Sequence, residues 1–405
     1  MGSFFNPQSW FFPDDYIDRT EPVPDIGRML FRTNTRDGHL LDMYRYPVAN
    51  GSSNLSSDSE WIKNKRISKP QAPKIRPRMK PILLIHSPGT NHKVWELAEE
   101  LSLSYYLARE GFDVWAIDLR KKDPHNKVLL FDDYIKFDVP TAINYILEET
   151  GVESLHIIGH SMGATLGLSQ LASPIGSQIA SLTLMAGGCH YEHSAWRHLV
   201  PILPVMKLGG TIPLHSMSQL GSGPALLFGG MARFAVYGPN IPHTMLSQLM
   251  STCFHSVPAS ISDQLLSLLS KKGLKASFFD MAPPPATFVS FQPKSSDEVI
   301  EIKFGEDDDD KIKDMEPQKV AGNTVWEDFM KSSPADNHIL AVIGDKDMQA
   351  KQEDILKTLN ATKSSHVQLE IMNKFGHFDI ILGQRAKDEI FPKILSFLEN
   401  LDEKL

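Results

Sequence analysis

Cysteine is nearly missing from this chain of 405 residues, with Cys189 and Cys253 the only two. Two thiols make no disulfide framework, so the fold must be held by a core, and they fit a reducing compartment. Long apolar runs are also lacking: no window reaches the roughly 20 residues of a membrane-spanning helix. Positive charge is in deficit, with a formal net charge of −8, which speaks against a nucleic-acid partner. The stretch Met1 to Ile17 is aromatic but contains Asp14 and Asp15, and it lacks the basic-then-apolar pattern of a secretory signal. A cytoplasmic protein is the expectation.

What remains is an ordinary globular composition, 41% hydrophobic and 22% charged. The length suits one large α/β domain with an insertion, or two domains. Leu30–Thr35 and Leu40–Tyr46 flank the turn signal Arg36-Asp37-Gly38 and predict a hairpin. Residues 51–79, rich in Ser, Asn, Lys, Arg and Pro, predict a basic flexible insertion. A solvated loop is the plain reading there; attraction to an anionic membrane or lipid-droplet surface is the alternative. Apolar runs at Pro81–Ile85, Asp113–Ile117, Ser154–Ile158, Leu182–Ala186, Ile339–Ile343 and Val367–Ile371 predict strands. Helical spacing lies between them, at Trp95–Arg109, Phe137–Glu149, Ala164–Leu171 and Ala386–Leu401. Strands alternating with helices imply a mostly parallel sheet flanked by helices.

Far more residues separate the sixth strand from the seventh than a crossover needs, which predicts an inserted cap. The expected organisation is an arm and hairpin over 1–50, the basic insertion over 51–79 and a first core part over 80–188. A cap with an acidic loop follows over 189–335, then a second core part over 336–405. The Met and Leu of the cap suit either the lining of an acyl-chain tunnel or the cap's own core. Glu306–Asp310 is all acidic but lacks the glycine and ligand spacing of a calcium loop. No metal and no organic cofactor are implied.

The chemistry centres on Gly159-His160-Ser161-Met162-Gly163, set between a short apolar strand and a helix opening on small residues. Strand, G-x-S-x-G and helix together form a nucleophile elbow, which lifts Ser161 Oγ above the sheet. Gly159 and Gly163 keep Cβ atoms out of the space where strand and helix close together. A serine nucleophile needs a base in hydrogen-bond reach and a carboxylate to orient that base. Gly344-Asp345-Lys346-Asp347 follows one strand, and Phe375-Gly376-His377-Phe378 follows the last. Asp347 is the expected acid, with Asp345 the runner-up, and His377 is the expected base. His156 and His160 are expected to be structural.

This pattern resembles the α/β-hydrolase superfamily and, within it, the acid lipase family of gastric and lysosomal lipases. The likeness rests on Arg36-Asp37-Gly38-His39-Leu40-Leu41, on Phe131-Asp132-Asp133-Tyr134-Ile135-Lys136-Phe137-Asp138-Val139-Pro140, and on Gly376-His377-Phe378-Asp379. It implies hydrolysis of carboxylic esters of lipids, triacylglycerols or sterol esters, by a Ser161–Asp347–His377 triad. The partner is then a hydrophobic ester, and peripheral lipid contact is an option; oligomeric state is not readable. The same triad suits an acyltransferase, thioesterase or peptidase, and a binding protein on a hydrolase fold is the non-enzymatic alternative.

One departure concerns the rate. The family's oxyanion loop reads H-G-x, but this chain has His86-Ser87-Pro88-Gly89-Thr90. The residue after H-G normally donates its N–H to the oxyanion, and proline has none. Met162 N–H supplies one donor. The second falls to Ser87, through backbone or hydroxyl, to Gly89 or to Thr90.

Overall fold

A computed structural model describes residues 28–46, 79–98, 101–121, 128–171, 173–198, 200–202, 211–212, 234–269, 336–362 and 364–402. The arm ahead of Arg28, the basic segment short of Met79 and the acidic loop lie outside these residues.

Eight strands form one sheet: β1 (Met29–Asn34), β2 (Leu40–Tyr46), β3 (Ile82–Ile85), β4 (Val114–Asp118), β5 (Leu155–His160), β6 (Ile179–Met185), β7 (His338–Gly344) and β8 (Val367–Met372). Their order is β1-β2-β4-β3-β5-β6-β7-β8. The hairpin β1–β2 is antiparallel and joins β4 antiparallel, while β4 through β8 run parallel. Every residue of β3 and β5 is buried, as strands covered by helices on both faces must be. Apolar side chains such as Trp95, Phe112, Trp115, Phe375 and Phe391 are wholly buried around the sheet. Each contributes about 1.5–3 kcal/mol.

The helices of the described residues include α1 (Leu103–Arg109), α2 (Val139–Thr150), α3 (Met162–Leu171), α4 (Ala259–Leu265), α5 (Gln352–Ala361) and α6 (Phe391–Asp402). Two differ from the periodicity of the sequence. The run expected from Trp95 breaks, because Ser102 Oγ caps α1 at Tyr105 N and also bonds Trp95 O. The last helix begins at Phe391, since Pro392 cannot donate within a helix interior and sits in the first turn instead. Pro140 opens α2 in the same way, and Gly151 closes it at φ 72° with its N–H on Leu147 O.

Two segments quoted for the family likeness meet in space at Arg120. Its Nε donates to Asp138 Oδ1 at 2.6 Å and its Nη2 to Asp37 Oδ1 at 2.9 Å. A guanidinium fork between two carboxylates ties the hairpin turn to the start of α2, just past the C-terminal end of β4.

Candidate active site

Ser161 closes β5 and precedes α3 with φ 54°, a left-handed backbone that a residue with a Cβ adopts at a cost of about 1–2 kcal/mol. The turn is over-determined. Ser161 N donates to Met185 O at 2.9 Å, and Ser161 O accepts from Ala164 N at 3.0 Å. A Cβ on Gly159 would run into the Gly163 carbonyl, and one on Gly163 into the Ile85 carbonyl. A third glycine shares the duty: a Cβ on Gly187 would strike the Ser161 carbonyl. Sequence reading passed over Gly187 because it belongs to no motif.

His377 and Asp347 come together from the loops after β8 and β7. His377 Nδ1 donates to Asp347 Oδ2 at 2.9 Å, and both side chains are buried. Asp347 Oδ1 accepts the backbone N–H groups of Gln349 (2.7 Å) and Ala350 (2.9 Å). The carboxylate is thereby fixed in direction. With Nδ1 as donor, His377 presents Nε2 as the basic nitrogen. Asp345 faces outward instead, where it receives Lys374 N and pairs with Lys346.

The histidine loop has further supports. His160 is buried and its Nε2 donates to His377 O at 3.0 Å. Burial, followed by the nearness of His377, holds the His160 pKa well below its usual value, so this ring is neutral. His156 is a satisfied core residue, with Nδ1 on Ser181 Oγ at 2.7 Å. Asp379 Oδ1 accepts Gly376 N at 2.8 Å and Tyr237 N at 3.1 Å, while its Oδ2 accepts Asn240 Nδ2 at 2.9 Å. Asp379 therefore joins the histidine loop to the segment inserted between β6 and β7.

That insertion also reaches the other two loops. Gln349 takes Trp196 Nε1 at 3.0 Å and gives its own amide to Phe234 O at 3.0 Å, beside Asp347. His255 N donates to Gly89 O at 2.8 Å in the loop after β3. Inserted residues Ile241, Leu249, Cys253 and Ile261 are buried in the same core as the sheet.

In the loop after β3, Pro88 and Gly89 border one small cleft with Met162, beside His86 and His255. His86 is held as one tautomer, with Nδ1–H on Ser87 O (2.8 Å) and Nε2 accepting Leu119 N–H (3.1 Å). Burial lowers its pKa to about 4. Thr90 N and Thr90 Oγ1 also donate to Ser87 O, at 3.2 and 2.8 Å. The Ser87 hydroxyl, 3.0 Å from Thr90 Oγ1, is then left as the donor of that pair. Two of the expected oxyanion donors, Thr90 N and Ser87 Oγ, are thus committed inside the loop. Gly89 sits at φ 67°, as a tight turn after proline requires. Met162 opens α3, where a backbone N–H has no acceptor within its own helix.

Tyr191, in the loop after β6, is buried, and its phenol oxygen accepts Gly188 N–H at 3.2 Å. Among the described residues no group of His, Cys, Asp and Glu could hold a metal ion, and no helix is long and apolar enough to cross a membrane.

Sheet order, elbow and loop placement together are those of the α/β-hydrolase fold. Residues 80–206 match the family described as alpha/beta hydrolase fold. The chain has that fold, and it is similar in sequence to acid lipases. A stretch of 152 residues is 34% identical to the tear acid lipase-like protein of Mesocricetus auratus, covering 34% of this chain and 33% of that one. This match spans about a third of the relative's length. Lipase member J of Homo sapiens aligns over 96% of this chain and 97% of its own, at 22% identity. Among solved structures, a soluble variant of monoglyceride lipase from Saccharomyces cerevisiae in complex with a substrate analog gives a TM-score of 0.54. It is 14% identical and covers 96% of this chain and 99% of that one, a likeness of fold alone.

Proposed function

We propose that the protein is a serine hydrolase of carboxylic esters, with lipid esters such as triacylglycerols or sterol esters as the substrate class. The observation that carries this reading is the buried Asp347–His377 pair, 2.9 Å apart, in loops of the same sheet whose β5 leads directly into Ser161. Ser161 Oγ attacks the ester carbonyl while His377 Nε2 takes its proton. Asp347 holds the imidazole in the tautomer that leaves Nε2 free and supports the charge it acquires. The alcohol leaves with the proton from His377, and water activated by the same ring then releases the acid. Met162 N–H and a backbone N–H of Ser87 or Gly89 are the assigned oxyanion donors.

Similarity to acid lipases supports a hydrophobic ester as substrate, and the insertion bonded to all three catalytic loops supports a covered site. The test is hydrolysis of p-nitrophenyl esters of graded chain length by the wild type, Ser161→Ala and His377→Ala. Loss of turnover in both variants, with melting temperatures close to the wild type, is expected. Turnover that survives in Ser161→Ala would overturn the assignment.

A further inference from the structure

We propose that Asp379 is a positioning residue for the reaction, through which the inserted segment 234–241 holds His377 in line with Asp347. The inference rests on the serine-hydrolase reading and adds to it a residue outside the triad.

Segment 234–241 runs from the acid loop to the base loop. At its start Phe234 O accepts Gln349 Nε2 at 3.0 Å, and Gln349 N is itself bonded to Asp347 Oδ1 at 2.7 Å. Ala235 O accepts the N–H of Phe378, the residue after the proposed base, at 2.9 Å. Towards its end Asn240 O accepts Gln384 N at 2.8 Å. Asp379 closes the span. Its Oδ1 accepts Gly376 N (2.8 Å) and Tyr237 N (3.1 Å), and its Oδ2 accepts Asn240 Nδ2 (2.9 Å). One carboxylate therefore gathers the residue before His377 and two residues of the segment.

The close approach is built into the chain. A Cβ on Gly376 would stand 2.6 Å from Tyr237 N, and one on Gly383 would stand 2.6 Å from Asn240 Nδ2. Asp379 and Asn240 are both buried, so bulk water does not replace a bond lost between them. Ahead of His377 the loop is tied to the turn after β7, by Lys346 N on Phe375 O at 2.9 Å. His160 holds His377 O. The flanking N–H groups of Gly376 and Phe378 are held by Asp379 and by the segment.

Proton transfer depends steeply on where the base stands, and a misplacement of about 1 Å costs on the order of a hundredfold. Without the bonds of Asp379, the base loop loses its grip on the segment that spans acid and base. Nε2 is then poorly aimed at Ser161 Oγ, and Nδ1 at Asp347. A group that acts only by placing the base changes kcat and leaves KM alone. The role asks for hydrogen bonds and not for charge. An asparagine at 379 keeps one oxygen for the two backbone N–H groups. Its amide can donate to Asn240 Oδ1, a buried atom with no hydrogen bond among the described residues, once the Asn240 amide turns over.

The experiment compares full-length wild type with Asp379→Ala, Asp379→Asn and Asn240→Ala. Hydrolysis of p-nitrophenyl butyrate gives kcat and KM, and a fluorophosphonate gives the rate of Ser161 phosphonylation. Each protein is assayed at a temperature where it is folded by circular dichroism. For Asp379→Ala the expected result is a fall on the order of a hundredfold in kcat and in labelling rate, with KM within about twofold. Asp379→Asn is expected to recover most of that loss, and Asn240→Ala to lose about tenfold in kcat. Should Asp379→Ala not fold, Asn240→Ala decides in its place. Wild-type kcat in the folded alanine variant would overturn the inference while the hydrolase reading stands. Asp379→Asn as slow as Asp379→Ala would also overturn it, making charge the requirement. So would a raised KM at unchanged kcat, which would show a substrate contact. No turnover and no labelling in the wild type would overturn both readings.

Discussion

His160 donates its Nε2 proton to the main-chain carbonyl of His377, 3.0 Å away. The variable position of the nucleophile elbow therefore holds the loop that carries the proposed base. The serine turn and the histidine turn, more than 200 residues apart in the chain, are coupled directly. Removing that donor as His160→Leu should lower kcat by roughly tenfold and stability by about 1–3 kcal/mol, as an unpaired buried carbonyl is left behind. Initial rates and urea melts on one preparation test this. Unchanged kcat would reduce His160 to filler.

The two aspartates after β7 should separate cleanly. Asp347→Asn is expected to lose on the order of a thousand- to ten-thousandfold in kcat, because the amide no longer fixes the His377 tautomer. Asp345→Asn, which alters an exposed pair with Lys346, should stay within about twofold. The reverse pattern would reassign the acid.

Pro88 offers a gain-of-function test. Pro88→Ala restores a backbone N–H beside Met162 at the cleft, and one oxyanion donor is worth roughly a hundredfold in turnover. An increase in kcat of about tenfold or more is expected. A decrease would mean that the loop is already complete and needs the rigid proline.

Acid should weaken the fold through its buried histidines. Burial lowers the pKa of His86 from 6.5 to about 4, and it lowers those of His92, His160 and His255 as well. A histidine depressed in the native state binds its proton more readily once unfolded. Stability from these rings is complete above the unfolded value near 6.5 and is lost as pH falls towards the native values. Each pKa unit of depression is worth about 1.4 kcal/mol. Urea melts at pH 7 and pH 5 should show the lower stability at pH 5. Stability that rises on acidification would contradict the assigned neutral tautomers.

The sheet was legible because each strand is a short apolar run punctuated by Gly or Asp, and period alone identifies such runs. Asp347 and His377 were legible as candidates for a similar reason: each lies a few residues past a strand end. Breaks in the first and last helices were not, since they depend on Ser102 bonding Trp95 and on Pro392 choosing a first turn. Gly187 and Asp379 act across loops that meet only in the folded chain. No spacing in the sequence announces that Gly187 abuts Ser161, or that Asp379 gathers Tyr237 and Asn240. The oxyanion loop stands between these cases. Its proline was visible, but the commitment of Thr90 and Ser87 to each other is a matter of three-dimensional geometry.

The central claim is an activated serine at position 161, and covalent labelling addresses it without any guess at the substrate. Purified protein is treated with a fluorophosphonate, and the adduct is mapped by peptide mass spectrometry beside Ser161→Ala. A stoichiometric adduct on Ser161 that is absent from the variant is expected. Failure of folded wild type to label, or an adduct on another residue, would contradict it.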